Sequence, residues 1–404
     1  MEAYMSHAVL LERAVDRFSQ PGALAGVEAI ASPSVSIDAL QELVTRSDRH
    51  RDGVFFTPER LANALWACNP VPLTTNARVF DPAAGAGALL RPVVRELSAM
   101  TESRLDQITL QDLHDSFVRT ARAQLVLDWS TLRPGEVAAP EASSQDYLAT
   151  GLDERVDTYT HIVLNPPYSM RQPSPGQSWA HGRINIAAEF VTRAIDQLDT
   201  GGVLLAILPD VLRSGSRYRE WRQLIASMGE IAKVKPLGQF SDDADVDVFV
   251  LVFVRGDSGS SWPVFSRAGT RLDDVSEIRV GNVVPHRDPL EGPTAPFLTA
   301  RDLSGQLQRQ HNGRLFEAPF LAVKRTTRPR DRPRLKVTLI DEPGMYAVEN
   351  HLLVIKLRDE FNEKIRDIQH RLMAEDVSAH LDELTGCRHL TVTALKSLRV
   401  EDLI

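Results

Sequence analysis

The chain has 404 residues, 43% of them hydrophobic and 25% charged, with a formal net charge of −8 and only two cysteines. Such a composition is that of a globular protein long enough for two domains. Cys68 and Cys387 show no metal-type spacing, the amino terminus lacks a basic-then-apolar leader, and no apolar run approaches about 18 residues, so a reducing cytoplasm, no metal and no membrane are expected.

Residues 2–18 and 36–49 carry helical apolar spacing (Val9, Leu10, Val15, Phe18; Ile37, Leu40, Leu43, Val44), which predicts a helical lead-in over 1–50. In Phe55-Phe56-Thr57-Pro58-Glu59-Arg60, Thr57 is a good N-cap and Pro58 suits the first helical position. Leu61, Leu65 and Trp66 continue an apolar face.

From Ala77 strands and helices alternate. Arg78-Val79-Phe80 leads into Asp81-Pro82-Ala83-Ala84-Gly85-Ala86-Gly87, and a helix is expected over 88–100. A strand over 107–111 and a helix over 115–127 follow, then a loop reaching Asp146-Tyr147-Leu148. Further strands are expected at 160–165, 203–208, 231–237 and 246–254, with helices at 184–198 and 217–228. This repetition predicts an α/β fold with a doubly wound, mainly parallel sheet. The almost wholly apolar run 246–254 suits a central strand. Past Gly256 the connections turn rich in Gly, Ser and Pro. The catalytic domain is read as 51–290 and a second, smaller α+β domain as 291–404, with a helix over 359–376 and a final segment over 390–400.

The chemistry centres on Ile162-Val163-Leu164-Asn165-Pro166-Pro167-Tyr168, an apolar strand that stops at a rigid polar turn. Two prolines fix φ near about −65° and remove two donors. An amide, two carbonyls and a ring are thereby held at a strand's carboxyl end, where open α/β sheets bind ligands. An exocyclic amine on an aromatic ring is a weak nucleophile, because its lone pair is delocalised. The Asn165 oxygen and the Pro166 carbonyl can accept both N–H groups and favour a tetrahedral nitrogen, while Tyr168 can stack on the base. Taken alone, the turn would serve adenine, cytosine or a glutamine amide.

The Gly85-x-Gly87 loop is of nucleotide type, but Leu90 stands where a dinucleotide fingerprint needs a third glycine. Asp81 at the strand end suits a cofactor with an amino group and a sulfonium better than one with a pyrophosphate. Asp112 stands where such folds hold ribose hydroxyls, with simple helix capping as its alternative. Asp146 and Tyr147 could bond and cover an adenine ring, or form an ordinary loop.

These motifs, in this order, resemble the amino-methyltransferases that methylate adenine N6 in DNA. They are most similar to the group with cofactor motifs first and a carboxyl-terminal target-recognition region, as in restriction–modification systems. The likeness covers residues 50–255 and extends to Ala322-Val323-Lys324-Arg325 and Arg388-His389-Leu390-Thr391-Val392-Thr393-Ala394-Leu395. It implies a Rossmann-like S-adenosylmethionine-dependent methyltransferase acting on a flipped-out base of double-stranded DNA. Phe56, Thr57 and Pro58 would then enclose the methionine part of the cofactor, bordered by Asp81, Ala83, Gly85 and Gly87. Asp112 would hold the ribose, Asp146 and Tyr147 the cofactor adenine, and Asn165, Pro166, Pro167 and Tyr168 would be catalytic. The chain departs from the usual pattern at Ala84 and Ala86, where Cys and Ser are common, and at Thr160, where an Asp commonly opens the strand.

Between residues 301 and 340, ten Lys or Arg face three acids in an otherwise acidic protein. Lys324, Arg325, Arg328, Arg330, Arg332 and Arg334 are accordingly read as DNA-binding. The stretch 169–182 is expected to be a mobile loop that orders around DNA. A protein-glutamine or RNA methyltransferase would not need the basic carboxyl domain, and a catalytically silent DNA-binding defence subunit would bind cofactor without transfer. Residues 1–50 are too few for a nuclease, so restriction is expected of a separate endonuclease or defence-complex partner.

Overall fold

Strand–helix alternation places the chain's two key turns side by side. In the computed structural model, which describes residues 9, 56–136, 138–149, 158–240, 246–263, 269–329 and 331–400, the chain divides into two units, Met1–Pro263 and Val264–Ile404. The lead-in helices, Val9 apart, as well as Phe55 and Arg330, lie outside the described residues.

The first unit contains β1 (Val79–Asp81), β2 (Ile108–Asp112), β3 (Glu141–Ser144), β4 (Tyr159–Leu164), β5 (Met170–Arg171), β6 (Ile184–Asn185), β7 (Leu198–Pro209), β8 (Gly229–Gln239) and β9 (Asp247–Arg255). Its helices are α1 (Glu59–Trp66), α2 (Arg91–Ser98), α3 (Asp115–Leu132), α4 (Ala187–Asp196), α5 (Asp210–Ser214) and α6 (Arg219–Ser227). Seven strands form one sheet in the order β3-β2-β1-β4-β7-β9-β8. Every neighbouring pair from β3 to β7 is parallel, while β9 runs antiparallel between β7 and β8. The expected mainly parallel α/β sheet is thus present, with one reversed strand. Because the chain winds outward from β1 towards β3 and then returns to β4, the carboxyl ends of β1 and β4 flank the switch point.

Alternation along the strands splits the core between two faces. Val79, Val163, Leu205 and Val250 pack with Leu65, Val93, Leu97 and Trp129 from α1, α2 and α3. Phe80, Ile162, Leu164, Leu204 and Phe249 pack with Val191 and Trp221 from α4 and α6. A sheet buried on both faces needs such continuous apolar strands. The short β3, Glu-Ala-Ser-Ser, is largely exposed at the sheet edge and carries no apolar alternation that would announce it.

The second unit holds β10 (Ser276–Val280), β11 (Thr294–Leu298), β12 (Gln308–Gln310), β13 (Phe316–Glu317), β14 (Phe320–Lys324), β15 (Val337–Ile340), β16 (Met345–Val348) and β17 (Leu352–Leu357). One sheet has the order β10-β17-β14-β15, the other β12-β11-β16-β13. The sequence boundary at residue 290 differs from this division, because β10 pairs along its length with β17. On β14, Leu321 and Val323 join the cluster around Ile368, Leu372 and Leu381, while Phe320 and Ala322 join Leu298, Phe316 and Tyr346. The single helix expected over 359–376 is in fact a 3-10 turn (Asp359–Lys364), α8 (Ile365–Leu372) and a separate α9 (Glu375–Leu384), α7 being Leu272–Val275 and α10 Val392–Lys396. Ala374 takes an extended conformation (φ −66°, ψ 154°) that starts the new helix. The two carboxyl-terminal segments of the sequence resemblance meet here. Leu390 N–H donates to the Arg325 carbonyl at 2.8 Å, and Thr327 N–H to the Arg388 carbonyl at 2.9 Å.

Within this unit Arg334 is an internal anchor, contrary to the sequence reading that gave it to DNA. Its side chain is 0% exposed, it ion-pairs with Asp382, and it donates to the Cys387 carbonyl at 3.0 Å. Its backbone N–H donates to Ser378 Oγ at 3.0 Å, fastening the basic segment to α9. Arg332 is exposed and also reaches Asp382, at 2.9 Å. Lys324 and Arg325 are half-buried, and Arg328 is exposed. Truncating Arg334 would leave Asp382 with one partner and the Cys387 carbonyl with none of its guanidinium bond. Arg334→Ala is expected to lower unfolding stability by about 2 kcal/mol or more, read by urea denaturation.

Candidate active site

Two loops build the site, one at the end of β1 and one at the end of β4. After Asp81 the chain turns through Ala83, whose N–H donates to Asp81 Oδ1 at 3.1 Å. Gly85 and Gly87 adopt positive φ, 52° and 81°. The two glycines serve different ends. Gly85 lines the cavity, whereas a Cβ on Gly87 would stand 3.2 Å from Ala121 Cβ and 3.3 Å from Ala121 Cα on α3. Gly87, read from sequence as cofactor-binding, is therefore a packing position.

The other oxygen of Asp81, Oδ2, is buried without a partner. Burial pushes the carboxyl up to about 8, against the lowering effect of the Ala83 N–H, with Asp112 nearby adding a smaller rise. Asp112 accepts Gly85 N–H at 2.9 Å on one oxygen and His114 N–H at 3.0 Å on the other. Burial raises its pKa, and those same N–H groups oppose the rise. The acid thus ties the glycine loop to the start of α3 while still lining the cavity.

At the end of β4 the Asn165 amide is held from both sides. Its Nδ2 donates to Thr57 Oγ1 at 2.8 Å, and its Oδ1 accepts the Tyr168 hydroxyl at 2.7 Å. Tyr168 reaches the Ile207 carbonyl at 3.2 Å and lies edge-on to Phe240, with ring centroids 6.2 Å apart. Burial raises the phenol pKa, so the hydroxyl stays a donor and the amide orientation follows from its two partners. Thr57 does not cap a helix with its side chain. The first turn of α1 is closed on the Pro58 carbonyl, leaving the Thr57 hydroxyl to Asn165.

One cavity runs between the loops, lined by Phe56, Ala83, Gly85, Asp112, Leu113, Asp146, Tyr147, Asn165, Pro166, Pro167, Tyr168 and Phe190 among others. Thr57, Pro58, Asp81 and Gly87 are not part of this lining. Tyr147 is buried, with its hydroxyl on Gln197 and the Arg193 guanidinium 4.9 Å from its ring centre. Asp146 is exposed and accepts Leu148 N–H at 2.9 Å, so it forms a turn at the cavity mouth.

Residues after the turn that sequence reasoning did not single out hold it in place. Asn185 Nδ2 donates to the Tyr168 carbonyl at 2.9 Å, and Asn185 N–H donates to the Tyr218 hydroxyl at 2.7 Å. The buried Glu189 accepts Ser174 N–H at 2.6 Å and pairs with Arg171, a lining residue. Trp179 is 4% exposed and belongs to the core on that face of the sheet. The stretch expected to be mobile is therefore pinned at Ser174 and Trp179. A lone Asn after a Gly-Arg-Ile run carries no sequence signal of this role.

A family model described as N-6 DNA Methylase matches residues 39–258, more than half of the chain. The chain belongs to that family. The Type II methyltransferase M.BsuBI of Bacillus subtilis is 23% identical over 188 residues, covering 42% of this chain and 36% of the relative. The match thus spans about a third of the curated relative's length. Among solved structures, the type IIL restriction-modification enzyme MmeI in complex with DNA is 10% identical with a TM-score of 0.51, over 89% of this chain and 66% of that one. The type IIG restriction endonuclease BpuSI is 15% identical with a TM-score of 0.47, over 91% and 61%. The likeness to MmeI is one of fold.

The methyl donor of such an enzyme is S-adenosylmethionine, and the lining fits it. Acidic acceptors predominate and Arg171 is already paired, so the cavity offers hydroxyl- and ammonium-binding groups rather than a phosphate cradle. The unpartnered Asp81 Oδ2 leaves an acceptor for a hydrogen-bond donor of the ligand. Because Asp81 titrates at about 8 in the free protein, it is mostly neutral at pH 7. The exclusion of pyrophosphate thus rests on the missing cations more than on carboxylate repulsion. The raised pKa also has a sign for stability. The folded chain holds this proton between 3.8 and about 8 while the unfolded chain does not, so stability falls as pH rises through that window. Thermal unfolding midpoints should fall from pH 5 to pH 8, and Asp81→Asn should flatten that decline, leaving the contribution of Asp112.

Proposed function

We propose that the protein is a site-specific DNA methyltransferase that transfers a methyl group to adenine N6 of a flipped-out base, within a restriction–modification or related defence system. The observation that carries this reading is the Asn165 amide, fixed by Thr57 and Tyr168 at the end of β4 beside the cavity. A carbonyl oxygen has two lone pairs. The Tyr168 hydroxyl uses one on Asn165 Oδ1, and the other remains for an incoming amine. The Pro166 carbonyl, with no mobile backbone on either side, is the second acceptor. Together they take the N–H groups of the amine and draw its nitrogen towards tetrahedral geometry, where the lone pair is free to attack.

Bound S-adenosylmethionine supplies an electrophilic methyl on a sulfonium. The chain's own residues align the amine with it: Pro166 and Pro167 fix the height of the acceptors, and Phe56 and Phe190 close the cavity against water. The new N–C bond forms as the S–C bond breaks, and the proton then leaves the nitrogen for solvent. No side-chain base is required before attack, since the lone pair itself is the nucleophile.

The family match and the likeness to the Type II methyltransferase M.BsuBI support a methyltransferase acting on DNA. Lys324, Arg325, Arg328 and Arg332 in the second unit remain the proposed phosphate or base contacts there, with a separate nuclease as partner. The test is methylation of mixed-sequence DNA with labelled donor, followed by nucleoside analysis. N6-methyladenine is the expected product, and its absence across broad sequence space would refute the reading. Asn165→Ala should slow transfer by about 1,000-fold while cofactor affinity changes little. Thr57→Val, which frees the amide to rotate, should lower kcat by about 10–100-fold with the same cofactor Kd.

A further inference from the structure

We infer that Arg183, on the hairpin that follows the catalytic turn, and Arg217, in the turn after α5 that bonds to it, form a phosphate seat for the DNA strand that carries the target base. The inference rests on the DNA reading above and adds to it two named cations within the catalytic unit, where the sequence placed its basic contacts in the carboxyl-terminal domain. Strands β5 and β6 pair with Met170 opposite Asn185 and Arg171 opposite Ile184. Arg183 immediately precedes β6, and its guanidinium donates to the Met170 carbonyl at 2.8 Å. Arg217 follows α5 and donates to the Arg183 carbonyl at 2.9 Å. Both side chains belong to exposed residues.

The two differ from nearby charged residues in pairing and exposure together: Arg222 also donates to carbonyls, those of Leu212 and Gly215, but it is half-buried. Arg171 is neutralised by Glu189, Arg213 by Asp210, and Glu220 faces His181 at 3.5 Å. Among the described residues, Arg183 and Arg217 hold backbone carbonyls and no carboxylate. A guanidinium has five N–H donors, so one carbonyl bond orients the group and leaves donors facing solvent. Two oriented, unneutralised guanidinium groups on a protein of net charge −8 make a local site for phosphodiester oxygens.

Position gives the seat its purpose. Met170 is two residues beyond Tyr168, and Asn185 bonds the Tyr168 carbonyl from the other strand of the hairpin at 2.9 Å. The seat and the catalytic turn are therefore joined through one hairpin and its hydrogen bonds. Extruding a base turns a nucleotide about its own backbone and costs unstacking energy, so a grip on the strand close to the turn offsets part of that cost.

The experiment measures methylation of DNA against salt concentration for the full chain, for Arg183→Gln/Arg217→Gln and for Arg183→Lys/Arg217→Lys. Each lost phosphate contact should reduce the log–log salt slope of DNA affinity by about one. The Gln pair should therefore lose about two units of slope and raise the KM for DNA about tenfold or more at low salt, with the Kd for S-adenosylmethionine unchanged. The Lys pair should keep the wild-type slope, which a purely structural hairpin tie would not predict. Arg122→Gln, an equally exposed change on α3, should leave both quantities as they are. Wild-type slope and KM in the Gln pair would overturn the seat and leave the methyltransferase reading intact. A wild-type protein that methylates no DNA would overturn that reading, and the seat with it.

Discussion

The catalytic unit depends on how one side-chain amide is held. Asn165 has a donor end and an acceptor end, and in the proposed reaction only one orientation offers its oxygen to a substrate amine. Thr57 takes the donor end and Tyr168 the acceptor end, so the orientation is decided by two hydrogen bonds from residues on different parts of the chain. Everything around the amide serves that arrangement. The apolar β4 delivers Asn165 to the switch point, the prolines stop the backbone from relaxing, and Asn185 holds the far side of the turn through the Tyr168 carbonyl. A hydrogen bond in a half-buried site contributes only about 1 kcal/mol to stability. Its value here lies in selecting one rotamer of a functional group.

Much of this was legible in the residues, for a physical reason. Long apolar strands, glycine loops and the Pro-Pro turn are local signals, and the sheet, the cavity walls and the catalytic turn follow from them. Partnership across the chain is not local. Thr57 looks like a helix cap because capping is what a Thr before Pro-Glu does alone, yet its hydroxyl is used by a residue 108 positions away. β3 escaped notice because an exposed edge strand needs no apolar alternation, and the β5–β6 pair because two-residue strands have no period to detect.

Charge was the least readable property. Seven cations between residues 324 and 336 suggest one solvated basic loop, but Arg334 is spent on Asp382 inside the second unit. Conversely, Arg183 stands near one histidine and Arg217 near Arg213, Arg219, Arg222 and Glu220 in sequence, and the fold leaves both on carbonyls with no carboxylate among the described residues. A count of cations measures what a chain could present to a polyanion. Burial and pairing decide what it does present.

The close approach of Gly87 to Ala121 sets the height of the cofactor loop above α3 by steric exclusion. Excluded volume has no pKa and is not screened by salt. That one constraint on the loop is therefore indifferent to solution conditions, although the two acids that bond the loop, Asp81 and Asp112, both change their protonation with pH. The site thus separates a shape that stays constant from an electrostatic character that can vary. Altering the shape would require both small residues to change together, one of them already lacking a side chain.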